Sequence, residues 1–496
     1  YEVGWCDWSS DVCSSDLSAP AGKLAEFRGR PFLPVAAALL MAGAWLVWLS
    51  FGPDRTLTPR VPGSDRPPGA EGPVGGNPVL NGKLVRGEGR PANLPGLWPG
   101  FRGPDHSGID PGAAGLARTW PPGGPQVWWS VDVGEGYAGP AVRSGRVYLM
   151  DYDQEKKQDA LRCLSLEDGK EIWRFVYPVS VKRNHGMTRT VPAVSDKFVV
   201  AMGPKCHVVC LDAVSGELKW GLDLVRDFGT TVPPWYAGQC PLIDGDAVIL
   251  APGGKDALLM AVELESGAVR WRTPNPNGWK MTHSSVTPIT AAGHRQYVYC
   301  AHLGVVGVST QDGSLLWETT DWKISIATVP SPVALDAGRV FLSGGYEAGS
   351  LMLEISGDAG QWKVSPLFRL DSTVFGAEQH TAILYGGHLY GMRTDGRFIC
   401  LTLDGKVAWA SDSSEPFGRG GGAYLMADGL VYAFNDTGRL TMIEANPAKY
   451  TPLGHAQVLQ GRESWGPMAL AGTRLLVRDL TRLVCLEVGA GRGTNK

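Results

Sequence analysis

The chain repeats one short pattern, in which a glycine turn is followed four residues later by tryptophan, as in "LRCLSLEDGKEIWRF" at residues 161–175. Related versions follow as "VVCLDAVSGELKWGL", "MAVELESGAVRWRT", "VGVSTQDGSLLWET" and "FICLTLDGKVAWAS". Successive tryptophans of this series are 44 to 51 residues apart: Trp129, Trp173, Trp220, Trp271, Trp317, Trp362 and Trp409. A period near 45 that contains only short β-type segments is typical of a β-propeller with four strands in each blade.

Each unit has the same internal order of short apolar runs. An inner segment such as "GPAV" or "VPAV" is followed by a turn and two β-type runs, and the tryptophan strand comes last. Apolar and polar residues alternate with a period of two, as half-buried strands require. Asp or Ser precedes the turn glycine, which suits a hairpin with a left-handed residue. We therefore expect each tryptophan to occupy the same position in its blade.

Counting the inner segments predicts the number of blades. They begin at eight places: Gly139, Thr190, Gln239, Ser285, Thr328, Glu378, Ala423 and Trp465. The last unit ends after its third strand, whereas "PQVWWSVDV" (Pro125–Val133) has a tryptophan strand and no preceding unit. The sequence therefore predicts an all-β, eight-bladed propeller over residues 97–488, closed by this N-terminal strand. The seventh unit, residues 423–460, lacks its tryptophan.

The regions outside the propeller differ from it in composition. "DWSSDVCSSDL" (Asp7–Leu17) is what a common sequencing adapter encodes, so we interpret residues 1–17 as a translated-adapter artefact; a genuine disordered N terminus is the alternative. Residues 18–30 are predicted to be a cytoplasmic N terminus. Residues 53–96 are rich in Pro and Gly and predict a flexible linker, and residues 489–496 predict a disordered tail.

Residues 31–52 carry no charge, and about 20 such residues are enough for a helix to cross a bilayer. They predict a transmembrane helix. Lys23, Arg28 and Arg30 precede it, so the positive-inside rule puts the N terminus in the cytoplasm and the propeller in the periplasm. A cleaved signal peptide is the alternative, although no clear cleavage site follows Ser50. We expect a single-pass protein of the inner membrane.

Several function classes are excluded by what the sequence lacks. The formal net charge is −3, with no basic stripe of the kind that binds nucleic acid. There is no phosphate-binding Walker loop, no G-x-S-x-G nucleophile elbow and no H-E-x-x-H zinc motif. The C-x-x-C-H haem motif is also missing. We assign no catalytic residue and no metal ligand.

Four cysteines share one repeat position, and each is followed by leucine: Cys163, Cys210, Cys400 and Cys485. Equivalent positions in different blades are too far apart for a disulfide, whose Cα atoms must be about 4.4–6.8 Å apart. These cysteines are therefore predicted to be small buried apolar groups.

The repeated phrases resemble the quinoprotein-type, or PQQ-like, propeller repeat, whose blades share a Gly-x-x-x-Trp docking element. "LWPGFRGPDHSG" (Leu97–Gly108) resembles the opening segment of exported bacterial PQQ-like propellers, which are similar to the propeller lipoprotein of the outer-membrane β-barrel assembly machinery. The resemblance implies that the repeated tryptophans pack between neighbouring blades and are structural.

Two candidate functions follow from this resemblance. The first is a binding and interaction scaffold in the bacterial cell envelope. The second is a dehydrogenase of alcohols or sugars that uses pyrroloquinoline quinone (PQQ) with Ca²⁺. Those enzymes have a vicinal Cys-Cys disulfide, and this chain has no adjacent cysteines, so we favour the scaffold.

In a propeller, the residues that lead into the inner strands converge on one mouth of the central channel. Aromatic side chains beside convergent polar groups are typical of pockets for small ligands or carbohydrates. The alternative is that these loop residues are simply exposed, with histidines bonded to turn backbone. The expected partners are envelope proteins or a small extracytoplasmic ligand. The ligand-binding set predicted at the mouth is Arg189, Trp235, Gln239, His283, Glu378, His380 and Trp465.

Overall fold

The computed structural model divides the chain into two units, of which the first contains helix α1 and the second contains the propeller. Helix α1 spans Phe32–Phe51. In the part of the chain that the structure describes, no helix is both long and apolar enough to cross a membrane. The transmembrane helix at residues 31–52 stays a prediction, and residues 1–30 lie outside the described part. The described residues are 32–51, 76–357, 360–413, 417–418, 422–461 and 463–490.

The strands of the described residues form eight sheets, one for each blade. Three strands precede the first complete blade: β1 Lys83–Arg86, β2 Ile109–Asp110 and β3 Val127–Asp132. Blade 1 contains β4 Ala141–Arg143, β5 Arg146–Asp153, β6 Gln158–Ser165 and β7 Glu171–Pro178; blade 2 contains β8 Ala193–Val194, β9 Phe198–Met202, β10 His207–Asp212 and β11 Leu218–Asp223. Blade 3 contains β12 Leu242–Asp244, β13 Ala247–Leu250, β14 Met260–Glu263 and β15 Val269–Arg272; blade 4 contains β16 Thr287–Ala291, β17 His294–Ala301, β18 Gly304–Ser309 and β19 Leu315–Thr319.

The second half of the ring repeats this order. Blade 5 contains β20 Val333–Ala334, β21 Arg339–Gly344, β22 Gly349–Ser356 and β23 Lys363–Leu370; blade 6 contains β24 Ile383–Tyr385, β25 His388–Met392, β26 Phe398–Thr402 and β27 Val407–Ala410. Blade 7 contains β28 Tyr424–Ala427, β29 Leu430–Phe434, β30 Arg439–Glu444 and β31 Pro452–Gln457; blade 8 contains β32 Ala469–Ala471, β33 Arg474–Arg478 and β34 Arg482–Glu487. Strand β3 completes blade 8 by pairing antiparallel with β34. The eight-bladed fold and its closure by the N-terminal strand are therefore confirmed.

A short helix and two 3₁₀ turns complete the described elements. Helix α2 spans Leu224–Phe228, and the 3₁₀ turns span Pro78–Asn81 and Asp336–Gly338. The inner and middle strands are buried on both faces because neighbouring blades cover them, as in β13, whose four residues are all buried. Outer strands such as β15 lose this cover and alternate between partly buried and exposed residues.

Four of the seven repeated tryptophans lie against the glycine turn of the following blade. Trp220 of blade 2 donates its indole N–H to the carbonyl of Leu264 in blade 3 at 2.9 Å. Gly267 lies beneath the Trp220 ring and has a φ of 75°. A Cβ on Gly267 would be 2.7 Å from this ring. The turn therefore needs glycine both for its left-handed backbone and for the close approach. Trp129, Trp173 and Trp271 meet Gly169, Gly216 and Gly313 in the same way.

The other three tryptophans depart from this arrangement. Trp317 packs with blade-5 residues, and its indole N–H bonds to Gln296 of its own blade at 2.7 Å. Trp409 bonds to the carbonyl of Asn446 in blade 7 at 2.8 Å. In blade 5, however, Trp362 precedes β23, where it meets the edge of the His294 ring and packs, partly buried, against the apolar cluster of blades 4 and 5.

The docking position predicted for Trp362 is wrong, because Phe368 occupies it. Phe368 pairs with Met352 at the bulge where the other blades have tryptophan, and a Cβ on Gly405 of blade 6 would be 3.0 Å from its ring. The longer turn before β23 shifts the strand by six residues, so the regular spacing of Trp362 was coincidental. Blade 7 has Gly454 at this position, and Trp120 from the N-terminal segment lies beside it, stacked on Tyr432 at 6.4 Å.

The four repeat-position cysteines lie opposite the docking tryptophans. Cys163, Cys210, Cys400 and Cys485 pair with Trp173, Trp220, Trp409 and Trp129, respectively. All four are buried and free, and burial raises the pKa of each thiol. They are the small apolar groups that the repeat predicted.

The flexible linker predicted for residues 53–96 is wrong for residues 76–96. Strand β1 pairs antiparallel with β7 and adds a fifth strand to blade 1. Before it, Asn77 caps a 3₁₀ turn, and Val79 is fully buried against Gly221 of blade 2. The composition of this segment is too poor in apolar residues to form a core of its own, but the segment pairs with the open edge of blade 1. Residues 53–75 lie outside the described part. In the predicted tail, the backbone N–H of Ala490 donates a hydrogen bond to the carbonyl of Gly115 at 2.8 Å.

Residues 97–118, here called the plug segment, cross one end of the central channel. Trp98 exchanges two backbone hydrogen bonds with Val142 of blade 1, and the carbonyl of Pro99 accepts from Val194 of blade 2. Farther along, the Arg102 guanidinium donates to two backbone carbonyls at the start of blade 6, and Ile109 pairs with blade 7. Blades 2 and 6 are opposite each other in a ring of eight, so the segment spans the channel.

Candidate functional site

A cavity of about 290 Å³ lies in the channel, between the plug segment and the loops that lead into the inner strands. Phe101 of the plug segment is part of its lining. The remaining lining residues come mainly from the connections between one blade's outer strand and the next blade's inner strand. The channel is therefore a pocket with a protein floor rather than an open pore.

Five of the seven predicted ligand-binding residues line this cavity: Arg189, Trp235, His283, His380 and Trp465. They come from five different connections around the ring, so only the closed propeller brings them together. Gln239 and Glu378 do not line it. Gln239 is fully buried, and its amide exchanges two hydrogen bonds with the backbone of Ala251, which makes it structural. Glu378 is partly buried beside Gly345.

The lining also includes residues outside the predicted set. His185 and Gln379 lie in the same connections as predicted residues. Tyr137 lies in the connection from β3 to β4, which held no predicted residue, and Phe101 and Tyr346 come from elsewhere. Tyr346 lies in the turn between β21 and β22 and has a left-handed backbone, with φ at 54°. Its glycine-flanked sequence, "GGYEAG", is the one signal that indicated an unusual turn.

An aromatic and cationic group forms one wall. The rings of Tyr137 and Trp465 are stacked, with centroids 5.3 Å apart, and the Arg189 guanidinium lies 5.3 Å from the Tyr137 centroid. The Tyr137 hydroxyl donates to the carboxylate of Glu463, and burial together with this bond raises the pKa of Tyr137. Tyr137 is therefore neutral at physiological pH, and its hydroxyl is committed to Glu463.

Two histidines of the lining are uncharged at neutral pH. Burial and the nearby Arg189 lower the pKa of His283 to about 4, and burial with Arg102 lowers that of His380 to about 3. Neither ring nitrogen of His283 has a hydrogen-bond partner of good geometry among the described residues, although the carbonyls of Pro234 and Tyr236 approach the ring. Nε2 of His380 is likewise unpartnered. A neutral imidazole offers one donor and one acceptor, so both rings can bond to a ligand.

The loops at this mouth hold several residues other than glycine in the left-handed region. His185, Trp235, Tyr236 and Glu463 have φ between 54° and 74°. Each such conformation costs roughly 1–2 kcal/mol, and sites of this kind concentrate at ligand-binding loops. Trp235 and Tyr236 are adjacent, and Tyr236 is fully buried with its hydroxyl bonded to the carbonyl of Lys182. This buried neighbour holds Trp235 at the cavity.

The sequence profile of the PQQ-like family described as outer membrane protein assembly factor BamB matches residues 156–411, which is just over half of the 496 residues. The chain belongs to this family. The match runs from blade 1 to the end of blade 6, so the BamB family relation rests on the repeated blades and covers most of the cavity wall.

Solved structures share the fold of this BamB-family chain at low sequence identity. BamB from Moraxella catarrhalis aligns with a TM-score of 0.50 and 13% identity, covering 73% of this chain and 99% of that one. The quinohemoprotein alcohol dehydrogenase from Comamonas testosteroni aligns with a TM-score of 0.56 and 12% identity over 81% and 82% of the two chains. A europium-containing methanol dehydrogenase gives a TM-score of 0.53 and 12% identity over 78% and 89%. No match was found among curated protein sequences.

The cavity of this BamB-family propeller does not suit a quinone cofactor held by Ca²⁺. Ca²⁺ takes six to eight oxygen ligands, carboxylates above all. Among the described residues, the cavity lining contains no Asp or Glu, and no group of three or more His, Cys, Asp or Glu could hold a metal. Cys240, which lines the cavity, is a free buried thiol. The donor set of the cavity is aromatic, imidazole and guanidinium.

Proposed function

We propose that this protein is a binding protein of the bacterial cell envelope, and that the central cavity takes a small organic ligand. The observation that carries the proposal is a cavity of about 290 Å³ whose lining includes buried polar atoms without a hydrogen-bond partner of good geometry among the described residues. Trp465 Nε1 and both nitrogens of His283 are such groups. Buried polar atoms in native proteins are nearly always hydrogen-bonded, so unpartnered ones around a cavity indicate a ligand or ordered water.

The chemistry of the lining supports binding better than catalysis. A general base needs a pKa near the working pH, whereas the pKa of His283 and that of His380 are far below it. Cys240 has its pKa raised to about 11 by burial, so its thiol is protonated and a poor nucleophile. These groups can orient a ligand through hydrogen bonds without exchanging protons at neutral pH.

A role as an interaction scaffold for envelope proteins is the second candidate. Membership of the BamB family favours it, because BamB is named for outer membrane protein assembly. A small ligand in the channel and a protein partner on the outer surface are compatible, since they use different parts of the propeller.

We also propose that the propeller is periplasmic and that residues 31–52 anchor it in the inner membrane. The uncharged stretch and the basic residues before it support this location. Protease digestion of spheroplasts tests it. The propeller is expected to be degraded in intact spheroplasts, and its survival there would contradict the location.

Ligand binding is tested by thermal shift of the full-length protein in detergent against a panel of amino acids, sugars, sugar acids, nucleosides and aromatic acids. At least one compound is expected to raise the melting temperature, because a ligand that binds only the native state stabilises it. Val329 lines the cavity and is partly buried, so Val329→Trp should fill the cavity and abolish the shift. An exposed replacement far from the cavity, Val407→Trp, is the matched control.

Two results would contradict the proposal. One is a panel in which nothing stabilises the protein, and the other is an equal shift in the Val329→Trp variant with its β-type circular dichroism intact. The dehydrogenase alternative is tested by adding PQQ with Ca²⁺ and measuring dye reduction by alcohols and sugars. We expect no reduction, and turnover would favour the alternative.

A further inference from the structure

Three arginines in or near the channel are largely withdrawn from solvent, and burial lowers the pKa of each to about 10: Arg102, Arg189 and Arg478. All three therefore stay protonated at neutral pH. A guanidinium away from water needs hydrogen-bond acceptors or a counter-ion to offset its lost hydration. How each charge is satisfied distinguishes a structural arginine from one that can bind a ligand.

Arg102 and Arg478 are saturated by backbone. Arg102 donates to the carbonyls of His106, Ser107, Thr381 and Ala382, at 2.6–2.9 Å. Arg478 is 1% exposed and donates to the carbonyls of Gly134, Ala138, Asp479 and Leu480, at 2.8–3.1 Å. With four carbonyl acceptors each, these two side chains hold the plug segment and the closing blade in place.

Arg189 differs from both. Its one hydrogen bond to the described residues runs from Nη1 to the carbonyl of Gly186 at 2.6 Å, although a guanidinium has five N–H donors. Among those residues it has no ion pair: the nearby Glu463 accepts from Tyr137, and Glu135 pairs with the exposed Arg183. Stacking over Tyr137 holds the guanidinium in place at the cavity wall.

We infer that Arg189 is the anchor for the carboxylate of a small organic acid whose uncharged body packs in the aromatic part of the cavity. The inference rests on the proposed ligand-binding function and names the class of ligand. Arginine presents paired donors that match a carboxylate, and such charge-assisted bonds are about twice as strong as neutral ones. A bound carboxylate would also form an ion pair with Arg189, which has none among the described residues.

The rest of the cavity suits an uncharged, flat ligand body. Trp235, Trp465 and Phe101 offer apolar faces, and no second arginine or lysine lines the cavity within the described residues. His283 and His380 are neutral, so they can bond to hydroxyl or amide groups but do not attract another anion. One carboxylate per ligand is therefore expected, with a body that presents either an aromatic ring or a sugar face.

The test compares acids with their neutral amides on the full-length protein, by isothermal titration calorimetry. The probes are indole-3-acetate against indole-3-acetamide for an aromatic body, and glucuronate against glucuronamide for a sugar body. In at least one pair the acid is expected to bind at least ten-fold more tightly than the amide. Arg189→Gln should remove this preference, and Arg189→Lys should restore part of it because lysine keeps the charge but not the planar donor pair.

The control is Arg183→Gln, which removes an exposed arginine of the same connection that is paired with Glu135 and does not line the cavity. Its preference for the acid should equal that of the unaltered protein. Equal affinity for acid and amide, no binding of either acid, or unchanged preference in Arg189→Gln would each overturn the inference. If neutral compounds still bind and Val329→Trp blocks them, the ligand-binding function stands and only the carboxylate assignment fails.

Discussion

Replacement of Trp220 by alanine is expected to lower the free energy of unfolding by about 3–5 kcal/mol, the usual range for truncating a buried aromatic side chain. Trp220 is only 7% exposed and fills the space over Gly267 in the next blade. The variant would also lose the hydrogen bond to the carbonyl of Leu264. Because the ring lies between two blades, no single blade can collapse to close the resulting cavity.

The measurement is urea denaturation followed by circular dichroism, with Trp362→Ala as the control. Trp362 is the same residue type and follows the same spacing in the sequence, but it is partly exposed and lies on no glycine turn. Trp362→Ala should lose less than half as much stability. Equal losses in the two variants would show that position between blades is not what makes the docking tryptophans important.

Replacement of Asp159 by asparagine is expected to make stability much less dependent on pH. Asp159 is fully buried between blades 1 and 2, where the Tyr177 hydroxyl approaches its carboxyl group, and neither carboxyl oxygen has a hydrogen-bond partner of good geometry among the described residues. A Cβ on Gly203 of blade 2 would be 2.3 Å from Oδ2 of Asp159 and 2.7 Å from the Tyr177 hydroxyl, so the site is tightly closed. Burial raises the pKa of Asp159 to about 8.

The direction of the effect follows from proton linkage. In the unfolded chain an aspartate has a pKa of about 3.9, so between about pH 4 and pH 8 the folded state holds one more proton than the unfolded state. Stability is then lost as the pH rises, by about 1.4 kcal/mol per pH unit, and the loss ends above the folded-state pKa. Asparagine cannot ionise. Between pH 5 and pH 8 the stability of Asp159→Asn relative to the unaltered protein should therefore rise by about 3–4 kcal/mol.

Urea denaturation at several pH values measures this difference. Asp404→Asn is the control, because Asp404 is exposed and its pKa is lowered by hydrogen bonds from Lys406 and Thr402, so it is ionised throughout this range. That variant should leave the slope between pH 5 and pH 8 unchanged. If Asp159→Asn has the same pH slope as the unaltered protein, the buried carboxyl is not protonated in the folded state.

Most of the ring could be predicted because it is built from one local unit. The glycine turn, the bulge and the docking tryptophan lie within 15 residues of each other, and six of the seven predicted tryptophans meet the following blade. The wrong predictions concern positions where tertiary contacts, and not the local sequence pattern, determine the structure. Phe368 replaces Trp362 because a longer turn shifts the strand, and β1 is ordered because the open edge of blade 1 accepts a strand of weak composition.

The sequence predicted which loops form the candidate site, but it did not predict every side chain that lines the cavity. Convergence of the inner-strand connections placed Arg189, Trp235 and His283 at one cavity. Whether a loop residue points to the cavity or into a blade depends on one or two backbone angles. Gln239 therefore proved to be bonded to Ala251 within its own blade.

The sequence by itself determined the eight-bladed ring, its closure by the N-terminal strand and the loops at the channel mouth, because these follow from a repeat that is local in the chain. Only the tertiary structure decided that the plug segment crosses the channel and makes it a pocket. Only the tertiary structure showed that Arg189 has one backbone acceptor among the described residues, whereas Arg102 and Arg478 have four each. The reason is that hydrogen-bond partners hundreds of residues apart, such as Arg102 and Thr381, meet through closure of the ring and leave no periodic signal in the chain.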